Sequence, residues 1–187
     1  MTDPLGRYRQ ESGVHLIEIQ LNSLAQMFNS MDPSPFHDKD LDADAEEYIV
    51  SSARELRLAD AIKLVLYLPR DHSAQPAGSD IERAIHNYFA YREDAAWREL
   101  RFNLRQGRTA LLVGLCFLAA CLAARQLISA FVHVPPAELI AESLLIIGWV
   151  AMWRPLEIFL YEWWPIRNRA RLYGKLASMP VEVRPWP

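Results

Sequence analysis

Cysteine is almost missing from this chain: 187 residues contain two, Cys116 and Cys121. They lie five apart in one apolar run, so on a helix they cannot bridge each other, and they read as small packing residues. A disulfide-built secreted module is excluded. Glycine is scarce too, seven in all and none clustered, so there is no Gly-rich loop to cradle a phosphate. A hydrolase nucleophile elbow is absent. His15, His37, His72, His86 and His133 are scattered without a zinc spacing. No cofactor is implied. A net charge of −3, from 20 basic and 23 acidic residues, excludes a strongly basic nucleic-acid binder.

The most informative shortage is of charge in one place. Between Thr109 and Trp164 only six of 56 positions are charged: Arg125, Glu138, Glu142, Arg154, Glu157 and Glu162. The chain as a whole is 51% hydrophobic with a mean hydropathy of −0.04, values typical of a soluble domain. Those averages hide the sorting.

Thr109 to Ala124 is uncharged, and Arg125 is the one charge before Val132. At 1.5 Å per residue, such a helix is about 36 Å long, enough for a hydrocarbon core of about 30 Å. A second apolar stretch follows from Leu139 to Trp164. Pro135 and Pro136 lie between them, where proline ends one helix and opens the next. The spacing predicts an antiparallel helical hairpin crossing the bilayer twice. Arg98, Arg101, Arg105 and Arg108 precede the first span, Arg167, Arg169, Arg171 and Lys175 follow the second, and the short loop has neither Lys nor Arg. The positive-inside rule then puts both termini in the cytoplasm. Arg105, Arg108, Trp163, Trp164 and Arg167 are the expected interfacial anchors. The N-terminus has no apolar core of a cleavable signal.

Outside the spans, Val14 to Leu21 alternates as a half-buried strand, with Ile17, Ile19 and Leu21 on one face. Ser23 to Asn29 fits a turn or two of helix. Asp42 or Asp44 caps a helix whose stripe is Ala45, Tyr48, Ile49, Ala53 and Leu56. Ile62 to Leu68 is a second strand, so that strand, helix and strand suggest a parallel crossover. After a linker at Pro69 to Gly78, Ser79 and Glu82 read as a capping box. It opens a helix that runs to Val132 unless Gly107 breaks it. Arg167 to Ala177 is expected along the surface, and Met179 to Arg184 as a last strand.

The fold class expected is an α+β membrane protein: a small cytoplasmic α/β domain of about three strands with an antiparallel transmembrane hairpin. Its parts are an α/β unit at 1–78, an amphipathic helix at 79–108 and a first span at 109–132. A periplasmic turn at 133–138, a second span at 139–164 and a cytoplasmic helix and strand at 165–187 complete it.

Chemistry has few candidates. Asp38, Asp40, Asp42, Asp44 and Glu46 alternate like a calcium loop, but Ala43 stands where the loop needs Gly, and Ile49 where it needs the bidentate Glu. His37, Asp38, Asp40 and Asp42 are thus weak metal candidates, and capping is the simpler role. Arg98 to Arg108 with Trp97 and Phe102 fits anionic headgroups and an interfacial belt better than nucleic acid. Ionisable groups at depth cost roughly 2.5–3.5 kcal/mol, which singles out Arg125, Glu142, Arg154 and Glu157. Arg125 and Glu142 could meet near the turn. Arg154 and Glu157 could pair on one helix face opposite Val113 to Cys116, around a bend at Pro155.

Three segments carry a resemblance: Asp32-Pro-Ser-Pro-Phe36 with Asp40-Leu-Asp42, Ala45-Glu-Glu-Tyr-Ile49, and Trp153-Arg-Pro-Leu-Glu-Ile-Phe-Leu-Tyr-Glu-Trp-Trp-Pro165. Together with Asn87-Tyr-Phe89 and Gly107-Arg108, they make the chain similar to a group of bacterial two-span membrane proteins of uncharacterised activity. The resemblance implies a bacterial inner-membrane location and no mechanism.

The function expected from the residues is a non-enzymatic membrane scaffold, adaptor or accessory subunit. Its partners would be the lipid bilayer and a membrane protein or a second copy, not nucleic acid. The alternatives are a homo-oligomeric transport element using the intramembrane Arg and Glu residues, and a metal-dependent enzyme using Asp38 to Glu47.

Overall fold

The computed structural model describes residues 8–69, 78–131 and 135–186. Most of the linker expected at Pro69 to Gly78, His72 and the loop residues around His133 lie outside the described residues. Two compact units emerge: Met1–Ala95 with Asn168–Pro187, and Ala96–Arg167.

The first unit holds a four-stranded sheet of β1 (Gln10–Glu11), β2 (Val14–Gln20), β3 (Ile62–Leu68) and β4 (Val181–Pro185), in that spatial order. About three strands were expected, and β1 is the addition. Ser12 and Gly13 have φ of +52° and +81°, the two left-handed residues of a type I′ turn, which folds β1 back antiparallel on β2. The other pairings are parallel, β2 with β3 and β3 with β4. The strand–helix–strand reading is confirmed: α1 (Ala43–Glu55) connects β2 to β3, with the Asp42 carboxylate accepting from Asp44 N.

Both crossovers step the same way across the sheet, so right-handed connections put their helices on one face. Ile17, Leu64 and Leu66 of the strands are fully buried, as are Ile49 of α1 and Ile85 and Phe89 of α2 (Gly78–Phe131). The expected stripe on α1 holds at Ile49, Ala53 and Leu56, while Tyr48 is exposed and its hydroxyl donates to the Glu18 carbonyl. Ser23 and Gln26 form a capping box on a single 3-10 turn at Leu24–Gln26. Glu82, expected to cap with Ser79, instead accepts from Val181 N at the start of β4. Parallel pairing turns the N–H of Val181 and Val183 and the ring nitrogen of Pro185 outward, since Leu64 N donates to Pro180 O and Trp186 N to Leu68 O. Glu82 occupies the first and proline has no N–H at the third, so among the described residues this sheet edge offers one outward donor, Val183, and resists edge pairing.

One expectation is corrected here. α5 (Trp163–Leu176) is not a surface helix: Ala170, Leu172, Tyr173 and Leu176 are buried in the core of the first unit. Its apolar positions fall at helical spacing among arginines, and the core claims that face.

The second unit is built from the C-terminal part of α2 and from α3 (Pro135–Ala151), α4 (Trp153–Glu157), a π turn at Ile158–Glu162 and the start of α5. α2 is unbroken through Gly107. α3 begins at Pro135, so Pro135 to Glu138, expected in the turn, are its first turn instead, where proline costs no hydrogen bond. The second apolar stretch is not one regular helix. It is interrupted at Met152, whose N donates to Trp149 O, and is wound wider over Ile158–Glu162. Pro155 and Pro165 lack the N–H that a regular α-helix would use at these points.

Two helices are long and apolar enough to cross a membrane. Gly78–Phe131 contains a window of mean hydropathy 2.1, and Glu138–Leu176 one of 1.5.

Candidate functional site

The packing of the second unit sets the level of every charge in it. A methyl group added to Gly148 would lie 2.8 Å from Leu118 Cδ1 and 3.2 Å from Cys121 Cβ. One added to Gly114 would lie 3.1 Å from Ala151 O, and one added to Gly107 would lie 2.8 Å from Ile158 Cγ2. These pairs run in opposite directions, so the segments are antiparallel neighbours. Gly107, Gly114 and Cys121 recur every seven residues on α2, and Ala141, Gly148 and Pro155 recur likewise opposite; all six are buried. Small residues at that period let two helix backbones approach closely. The approach at Gly114 brings α2 against the Ala151 carbonyl, to which Pro155 cannot donate.

Counting from these contacts, Arg125 stands level with Ala141 and Glu142. The expectation that Arg125 and Glu142 share a level therefore fits, but they form no ion pair among the described residues, and both are exposed. At the other end the same register puts Arg154 opposite Leu112 and Glu157 opposite Thr109. The expected level of Val113 to Cys116 is one turn too high, because the Gly107–Ile158 contact fixes the register lower.

Arg154 and Glu157 do pair, Nη1 to Oε2 at 3.1 Å. The sequence reading missed the third member: Arg154 Nη1 also lies 2.5 Å from Glu162 Oε1. On a regular helix eight residues turn through about 800°, which leaves the two roughly 80° apart. The π turn inserts about one residue without advancing the face, so eight residues behave like seven, about 20° short of two full turns. The local signal was two prolines, Pro155 and Pro165, flanking the segment. Beyond it, the Arg167 guanidinium stacks 5.8 Å from the Trp163 ring, while Trp164 is exposed. Arg105 and Arg108 are exposed on α2 and line an open concavity with Thr109 and Leu112. The expected anchors thus all lie in the second unit, at the end carrying Arg154.

The acidic series behaves differently. Asp42 caps α1, and Asp40 N donates to Asp32 Oδ2 at 2.7 Å. Asp32 also accepts from Ser34 N, and these backbone donors, Asp40 N first, hold its carboxyl below the usual carboxylate range. Asp38 closes a short 3-10 turn, Phe36–Asp38, that includes the backbone of His37. No group of three or more His, Cys, Asp or Glu could hold a metal among the described residues.

Two polar clusters in the first unit were not foreseen. On the open face of the sheet, Arg184 makes a two-pronged contact with Glu11 at 2.7 and 2.8 Å and another with Glu182 at 2.8 and 3.0 Å. Lys63 joins Glu182, Arg9 joins Glu11 and Glu18, and Tyr67 donates to Glu18. Arg184, then Arg9, pulls the Glu11 carboxyl down to about 2; Arg184 and Lys63 do the same to Glu182. Between α1, α2 and α5, Glu46 accepts from Tyr88 at 2.7 Å and pairs with Arg92 at 2.7 Å. Arg92 also donates to Tyr173 and lies over its ring. Burial, then the Glu46 hydrogen bond, pushes the Tyr88 hydroxyl upward. Each cluster draws on residues far apart in the chain, so no local pattern announces it.

No family model, curated protein or solved structure matches this chain.

Proposed function

We propose that the chain is an integral membrane protein of the bacterial inner membrane, with both termini cytoplasmic. In this reading the hairpin anchors the α/β unit, which serves as an adaptor or scaffold for a membrane partner. One observation carries the membrane reading. Only 11% of the first apolar window and 22% of the second is buried, whereas a core helix of a soluble protein is mostly buried. Leu112, Ile146, Trp149, Val150 and Trp153 are each more than 60% exposed, a surface suited to acyl chains rather than water.

The charged levels fit the same frame. Arg105, Arg108, Arg154, Glu157 and Glu162 mark one boundary, and Arg125 and Glu142 the other. About 16 residues of α2 separate them, roughly 24 Å of helix, and the long arginine stems reach outward to cover the remainder. In this reading these residues are rims of the hydrocarbon layer rather than charges at its centre. Eight basic residues flanking the spans support the cytoplasmic side for both termini.

The adaptor reading rests on connectivity: α2 and α5 each begin in one unit and end in the other, so a folded sheet domain is joined to the spans by helix at both crossings. A homo-oligomeric transport element is the second reading, favoured by the exposed Arg125 and Glu142, which form no ion pair among the described residues. Affinity purification from native membranes, with the mass of the complex measured, separates them. A stoichiometric second protein supports the adaptor; a ring of identical copies supports transport.

A further inference from the structure

The basic end of the hairpin is asymmetric in charge. On the α3–α5 side, Arg154 is held by Glu157 and Glu162, so that side carries its own counterions. On α2, Arg101, Arg105 and Arg108 are exposed and form no ion pair among the described residues. The acids level with them are Glu157 and Glu162, and both are engaged by Arg154. Arg101, Arg105, Arg108 and Leu112 follow at intervals of four, three and four, which is one face of a helix. Arg105 and Arg108 share an open concavity with Thr109 and Leu112, and Leu112 is 65% exposed. Thr109 Oγ1 donates to the Arg105 carbonyl, so the donors aimed outward here are the guanidinium groups.

Along this face the chemistry changes over two turns from bare cation to bare hydrocarbon. A ligand that matches it carries a negative charge joined to an apolar chain. We propose that the face binds an anionic phospholipid, its phosphate held by Arg105 and Arg108, its acyl chain along Leu112, and Arg101 drawing in the headgroup charge. The guanidinium fork suits phosphate oxygens, and a position at the edge of the apolar layer is where headgroups lie. Nucleic acid would leave Leu112 unexplained, and free phosphate would use only the arginines. This proposal rests on the membrane reading above.

The test uses the full chain in phosphatidylcholine bilayers with spin-labelled phosphatidylglycerol, or spin-labelled phosphatidylcholine, as the reporter. The fraction of motionally restricted label gives the relative affinity of each lipid. The wild-type chain should prefer phosphatidylglycerol, and Arg105→Gln with Arg108→Gln should remove about fivefold of that preference per arginine. Lys39→Gln with Arg54→Gln removes equal charge elsewhere and should leave the preference unchanged. The proposal is overturned by a preference that survives the Arg105/Arg108 double variant, or that falls equally in the Lys39/Arg54 control. Loss of the preference in inorganic phosphate, but not in sodium chloride of equal ionic strength, would overturn it in favour of a free-phosphate site. Alkaline carbonate separates this from the parent reading: release of the wild-type chain from membranes would overturn the membrane assignment itself.

Discussion

The two units solve the packing problem in opposite ways. The sheet unit buries large side chains, with Ile17, Leu64 and Phe89 at 0% exposure, and keeps its ions in two paired clusters, one on the open face of the sheet and one between its helices. The hairpin unit lines its seam mainly with small ones, Gly107, Gly114, Cys121, Ala141 and Gly148, beside a few large ones such as Met152 and Ile158, and turns most of its large apolar residues outward. Water explains the first pattern, because burying apolar area drives its folding. On the membrane reading proposed above, there is no such force between helices in lipid, and close backbone approach supplies the contact instead. The same residue type therefore has opposite value in the two halves: Leu64 and Leu66 are core in one, and Leu112, Leu127 and Leu139 are surface in the other.

Substitutions can invert that contrast. Phe89→Ala in the sheet unit should cost the most, about 3–5 kcal/mol, through the cavity left among Tyr88, Tyr173 and the buried strands. Hydrogen exchange of the β3 amides, followed in mild detergent, should report it as lost protection. In the hairpin, enlarging a residue does the damage. Gly148→Val should cost about 1–3 kcal/mol, because even its Cβ meets Leu118 and Cys121. Steric trapping or denaturation in mixed micelles would read this, and an unchanged hairpin would contradict the seam.

Acid should separate the halves next. Glu11 and Glu182 have carboxyls lowered to about 2 in the folded state. A lowered folded pKa gives stability that is fully present above the unfolded value of about 4.3 and lost as pH falls toward 2. Amide protection in the sheet should therefore weaken between about pH 4.3 and pH 2, and Arg184→Gln should flatten that dependence. Protection in the hairpin seam around Gly114 and Gly148, where no ion pair lies among the described residues, should not follow it. The smallest effect is expected for Leu112→Ala on the exposed side of α2, within about 0.5 kcal/mol of wild type. A loss like that of a core leucine would mean that Leu112 is covered.

What could be read from the chain alone follows the same division. The two long apolar helical stretches, the parallel strand–helix–strand unit and the Asp42 cap were legible, because each is written in adjacent residues. β1 was not, since two residues carry no period and only Ser12-Gly13 hints at the turn. The seam was visible in principle as Gly107, Gly114 and Cys121 at seven-residue spacing, but small residues leave no hydropathy signal. The pair Arg154–Glu157 could be anticipated at a spacing of three. Glu162 could not, because eight residues fall on different faces until the π turn changes the winding. The cluster of Glu46, Tyr88, Arg92 and Tyr173 depends wholly on the tertiary fold.

The central claim is a two-span hairpin with both ends of the chain on the cytoplasmic side. Single cysteines at Ala137 and Ser178, in a chain with Cys116 and Cys121 replaced by serine, test it directly with a membrane-impermeant maleimide. On intact spheroplasts Ala137→Cys should label and Ser178→Cys should stay protected until the membrane is permeabilised. Labelling of Ser178→Cys from outside, with Ala137→Cys protected, would contradict the account.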